Sequence, residues 1–94
     1  MDKSIEYKRY KTVGSSVFTE LLCSFAEGDI FSVKNSMRDS IYIVIGLKYS
    51  TFDINFEQEW QEPVPIYTLR NMSTGDVYEG IITKLPDAEI TLLG

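Results

Sequence analysis

Hydrophobic and polar positions alternate along most of this chain with the two-residue period of a half-buried strand. Ser40 to Ser50 is the clearest case: Ile41, Ile43, Ile45, Leu47 and Tyr49 share one parity. Gly46 in its middle predicts a bulge or a close backbone approach. Residues 4–13 also read as a strand, with Ile5, Tyr7 and Val13 on one parity and Glu6, Lys8, Tyr10 and Thr12 on the other, although Arg9 and Lys11 fall among the apolar positions. Gly14-Ser15-Ser16 ends that pattern. Val17, Phe18, Leu21, Leu22, Phe25 and Ala26 then recur at helical spacing, with a serine as N-cap and Gly28 as the stop, which predicts a helix over 16–26.

Everything after Gly28 reads as β. Ile30, Phe31 and Val33 open a short strand, residues 35–39 form a turn, and 51–60 alternates again. In that last stretch Phe52, Ile54, Phe56 and Trp60 oppose Asp53, Asn55, Glu57 and Glu59, so its acidic side is expected to face water. Pro63 and Pro65 should interrupt the ladder. Strands over 64–70 and 77–83 are joined by a turn at 71–76, and Pro86-Asp87 marks a turn before 90–93. The predicted fold is α+β but mostly β: a small, partly open barrel or curled antiparallel sheet of six or seven short strands with one N-terminal helix, in a single domain over 1–94.

Two segments carry a resemblance. Phe25-Ala-Glu-Gly28-Asp29-Ile-Phe-Ser-Val33 resembles the first strand of SH3-like small barrels, with an aromatic, a Gly-Asp pair and alternating apolar residues. Tyr67-Thr-Leu-Arg-Asn-Met-Ser-Thr-Gly75 is similar to the return strand and turn of such domains. The N-terminal strand and helix, and the long stretch from Ser50 to Pro63, depart from that pattern. The resemblance implies the fold class and nothing about activity.

Composition narrows the function classes. The 94 residues are 44% apolar and 24% charged, the balance of a folded soluble domain. The longest apolar run, Ile41 to Leu47, is far short of the roughly 20 residues a bilayer requires, and Met1-Asp2-Lys3-Ser4 has no signal-peptide core behind it. No membrane association is expected. One cysteine allows no internal disulfide, which fits a cytoplasmic location. With no histidine, Ser-His-Asp and Cys-His catalytic sites cannot be built, and no phosphate loop or Cys/His metal constellation is present. The chain is therefore expected to be no enzyme and to carry no cofactor or metal. Cys23, within Leu21-Leu22-Cys23-Ser24-Phe25, reads as a small buried hydrophobe rather than a reactive thiol.

Charge is segregated. The net charge is -5, but residues 1–12 carry +2 and the remaining 82 carry -7. Tyr7, Lys8, Arg9, Tyr10 and Lys11 interleave rings with cations, the combination that stacks a base and neutralises a phosphate. The plainer reading is an edge strand guarded by lysine. Joined by Arg38, Arg70 or Trp60 from other segments, the strip forms a candidate pocket for a small anionic nucleotide, most readily in a homo-oligomer whose copies share it. A polymeric nucleic acid fits poorly, because its many phosphates would be drawn across an acidic surface. Trp60, flanked by Glu59 and Gln61, is either a stacking residue or a cap on the core, and Tyr10 and Tyr49 are similar.

The opposite pole is residues 49–69, with four acids and no Lys or Arg. Asp53, Glu57, Glu59 and Glu62 are in the plainest reading a solvated face; the others are a Mg²⁺ site or a surface recognised by a basic partner. In size, composition and lack of enzyme motifs the chain resembles small phage-encoded accessory proteins that antagonise bacterial immunity. That resemblance implies a non-enzymatic sponge for a cyclic dinucleotide or related signal. The alternative is a protein inhibitor whose acidic 53–62 face blocks a basic groove of a host factor such as RNA polymerase or a nuclease.

Overall fold

The computed structural model describes residues 5–14, 19–54, 57–84 and 86–94. Seven strands follow in order: β1 (Glu6–Lys11), β2 (Thr19–Ser24), β3 (Ile30–Lys34), β4 (Asp39–Asp53), β5 (Gln58–Asn71), β6 (Val77–Gly80) and β7 (Glu89–Leu92). They form two antiparallel sheets, a β1-β2 hairpin and a five-stranded sheet of order β6-β5-β4-β3-β7, and no closed barrel. No helix occurs among the described residues.

The N-terminal half of the expected 16–26 helix lies mostly outside the described residues, but its core is a strand: Thr19 to Ser24 pair with Lys11 to Glu6 in β1. The physical reason is that β2 is covered on both sides. Successive strand residues face opposite ways, so Leu22 enters one core cluster and Cys23 the other. A strand buried on both faces is a continuous apolar run, which mimics a helix period over a few residues.

Strand β5 is two-faced in the same way. Val64 and Ile66 join Tyr10, Leu22 and Trp60 in one cluster, whereas Tyr67 joins Cys23, Phe25, Phe31 and Val44 in the other. Phe25 and Phe31 stack with ring centroids 4.5 Å apart. Full burial of each such side chain stabilises the fold by about 1.5–3 kcal/mol. Tyr67 has no exposed surface. Its hydroxyl donates to the Cys23 carbonyl at 2.9 Å and accepts from the Phe25 amide at 2.8 Å, fastening the end of β2 to the middle of β5.

The hairpin is joined at one edge to β5 and at the other to the segment that follows β6. Thr12 bridges Trp60 on one side, while on the other Leu22 bridges Thr83 and the Cys23 amide donates to the Ile82 carbonyl at 2.7 Å. The expected irregularity at Gly46 is present, since the β4-β5 register shifts between Val44 and Gly46. A Cβ at Gly46 would stand 3.3 Å from Thr68 Cβ, so the glycine allows the two strands this close approach.

Residues 51–60 are not one strand. β4 ends at Asp53, the chain turns, and β5 begins at Gln58, with Glu57 at φ 52 in the turn; residues 55 and 56 lie outside the described set. The expected facing is reversed at 52–54, where Asp53 is 2% exposed and Phe52 and Ile54 are 49% and 79% exposed. It holds at Glu57 and Glu59, which are exposed, and at Trp60, which is buried. β5 also runs through both prolines. Pro63 falls where β5 has left β4: between the pairs Ser50–Val64 and Phe52–Glu59, the four residues Trp60 to Pro63 stand opposite Thr51 alone.

Burial raises the Cys23 thiol from its ordinary value near 9 to about 11. It likewise raises the Tyr67 hydroxyl from near 10 to about 12, against a smaller lowering by the bond from Phe25. The unfolded chain thus releases both protons at lower pH than the folded one, and stability falls as pH rises. Urea midpoints across a pH series are expected to show that stabilisation intact below about pH 9 and lost between about pH 9 and 12, with a slope of up to about 1.4 kcal/mol per pH unit for each group. A stability independent of pH across that range would contradict the assignment.

Candidate functional site

Alternation along β1 decides which cations can act together. Tyr10 and Thr12 point inward and are buried, so Arg9 and Lys11 point out from the opposite face. The stretch of β5 that has left β4 runs alongside: Val13 donates to the Glu59 carbonyl at 2.8 Å, and Gln61 Nε2 donates to the Thr12 carbonyl at 3.4 Å. Between β1 and this stretch lies a groove of about 410 Å³ lined by Arg9, Lys11, Gln61 and Glu62. Two cations and one carboxylate line it. Lys8 leans toward Glu62 at 4.0 Å, a solvated pair of little energetic weight.

The aromatic residues expected beside those cations are used elsewhere. Tyr10 and Trp60 meet edge to face in the core, with centroids 6.4 Å apart and an interplanar angle of 82°. Trp60 is 3% exposed, and its indole Nε1–H has no acceptor among the described residues. Tyr7 packs against the second core cluster, and the Lys84 ammonium lies 5.1 Å from its ring centre. Lys8 sits over Tyr10 at the same distance. Burial raises the hydroxyls of both Tyr7 and Tyr10, with Cys23 adding to the first and Glu62 and Tyr49 to the second.

Arg38 and Arg70 do not join this groove. Arg70 is exposed on β5 opposite Ile43 and Val77. Arg38 lies in the β3–β4 turn and lines a different groove of about 450 Å³, floored by Tyr42 and Tyr78. Neither tyrosine is among the candidate residues read from the sequence. Each follows a polar turn by a few residues, Arg38-Asp39-Ser40 before Tyr42 and Ser73 to Asp76 before Tyr78, and that spacing is the signal by which the groove could be found.

The acidic residues are likewise divided. Asp53 is buried and lines a smaller groove of about 180 Å³ with Lys48 and Glu79, which pair at 3.2 Å. Glu57 occupies the hairpin turn, Glu59 stands beside Val13, and Glu62 faces Lys8. Among the described residues no three of His, Cys, Asp or Glu cluster closely enough to hold a metal ion. Nor, among them, is any helix long and apolar enough to cross a membrane. Comparison with known protein families, curated proteins and solved structures finds no match.

Cys23 has no exposed surface, and burial among Phe25, Phe31, Val44 and Tyr67 holds its thiol protonated at neutral pH. An aromatic disulfide reagent at about pH 8 is therefore expected to leave the folded protein unlabelled and to titrate one thiol in denaturant. Rapid labelling of the folded chain would show that Cys23 is open to solvent.

Proposed function

We propose that this chain is a non-enzymatic binding protein that sequesters a small phosphate-bearing ligand of nucleotide size, in the manner of phage-encoded proteins that withhold cyclic-nucleotide signals from bacterial immunity. The observation that carries the reading is the convergence of Arg9 and Lys11, two residues apart on one face of β1, on a single groove beside Gln61. The groove's volume falls within the range of small-molecule sites, and its cations are matched to a phosphate. Gln61, whose Nε2 donates to the Thr12 carbonyl, has an amide oxygen that can accept from a base or ribose hydroxyl. Sequestration needs tight stoichiometric binding and no catalytic group, and none is invoked. Two phosphates need only the two cations present, whereas a long polymer would carry its charge across an acidic molecule.

Isothermal titration with a cyclic dinucleotide, a linear dinucleotide and inorganic pyrophosphate tests this reading. Binding of at least one probe is expected, with the ligand recovered intact. Arg9→Ala should weaken it about tenfold or more through loss of a charge-assisted hydrogen bond. Glu62→Gln should strengthen it by removing the carboxylate that competes with the phosphate. No heat with any probe, or an Arg9→Ala variant that binds as tightly as the parent, overturns the assignment.

A further inference from the structure

The groove between the β3–β4 and β5–β6 turns is the largest of those described, at about 450 Å³, and its chemistry differs from that of the Arg9–Lys11 groove. Its floor is aromatic. The Tyr42 ring is stacked on Phe31 beneath it, with centroids 5.6 Å apart and planes 28° from parallel, so its position is fixed by the core. Tyr78 meets Tyr42 at 6.3 Å and 76°, making a corner of two rings, and is 50% exposed. Above that floor one rim carries Arg38, Asp39 and Ser40, and the other carries Ser73, Thr74 and Asp76.

Both rims are held in place before any ligand arrives. Asn35 Oδ1 accepts from the Met37 and Arg38 amides at 2.9 and 2.7 Å, and Asn71 Oδ1 accepts from the Ser73 and Thr74 amides at 2.9 and 3.2 Å. The Asn71 amide also donates to the Asp76 carbonyl at 2.8 Å, closing the second turn. A site already ordered loses little entropy on binding.

We infer that this groove binds a neutral saccharide, with one pyranose ring laid against the Tyr42–Tyr78 corner. Two carboxylates against one guanidinium give the groove a negative balance, so phosphates and other anions are repelled. The lining is rich in acceptors: two carboxylates and five hydroxyls, Ser40, Tyr42, Ser73, Thr74 and Tyr78, with Arg38 as the strong donor. A polyol offers one donor on every hydroxyl and matches that set, whereas a nucleobase offers two or three donors confined to its edge. The apolar C–H face of a pyranose suits an exposed tyrosine ring, and a corner of two rings admits one such face and one edge. This inference stands apart from the phosphate-binding reading, because it uses different residues and the opposite charge.

Amide chemical-shift mapping with D-glucose, D-galactose, D-mannose and N-acetylglucosamine, each added to the full chain, decides it. At least one sugar is expected to move the amides of 38–42 and 71–78 while leaving those of 8–12 and 60–62 unmoved. Tyr78→Ala should weaken that sugar about tenfold, the worth of one aromatic contact. Asp76→Asn, which keeps the backbone bonds of the turn, should weaken it several-fold and controls for any loss of fold in the first variant. If no sugar moves those amides, if both variants bind as the parent does, or if pyrophosphate moves them more than any sugar, the inference fails.

Discussion

One buried hydroxyl joins the two sheets. Tyr67 is fully enclosed, and its oxygen both donates to Cys23 and accepts from Phe25, residues more than forty positions away in sequence. Those two backbone groups lie where β2 runs out, so the strand ladder leaves the Phe25 amide for the tyrosine to satisfy. A buried N–H without an acceptor costs about 1–3 kcal/mol, a large share of the stability of a domain this size. The ring is held in turn by Phe25, edge to face at 5.8 Å. Together with the Thr12–Trp60 and Leu22–Thr83 bridges, this contact places the hairpin, and hence Arg9 and Lys11, against the five-stranded sheet.

From that fastening comes the division of the core. β2 and β5 each send alternate residues into two clusters, Leu22 and Ile66 into one, Cys23 and Tyr67 into the other. β5 serves both while paired with β4, through Val64 and Ile66 on one side and Tyr67 on the other, and it leaves β4 at Trp60 to Pro63. The departing stretch carries Trp60 into the first cluster and leaves Gln61 and Glu62 beside β1 as the wall of the Arg9–Lys11 groove. The groove is thus a consequence of how the core is filled.

Much of the β architecture is legible in the sequence, because alternation over 40–50 and the turns at 35–39, 71–76 and 86–87 follow from local chemistry. The bulge at Gly46 is legible for the same reason. β2 is not: Leu21-Leu22-Cys23 is apolar on both faces, and a strand sandwiched between two clusters has no two-residue period to read. Nor is the chain reversal between Asp53 and Gln58, where an uninterrupted alternation carries no glycine or proline to signal it. For the site, the cations on β1 are visible, but parity alone cannot say which parity faces the core. Tyr10 lies inward because Trp60 comes from fifty residues away to meet it. The Tyr42–Tyr78 corner depends on two strands brought to either side of Leu69 and Asn71, a neighbourhood that only the sheet order creates.

The Tyr67 hydroxyl is the element on which these arguments converge, and removing that one atom tests it. Urea unfolding of Tyr67→Phe at neutral pH should show a loss of about 1–3 kcal/mol with an unchanged urea dependence, because the ring still packs while the Phe25 amide and Cys23 carbonyl lose their partner. A variant as stable as the parent would contradict the account, since the hairpin would then be held without that bond.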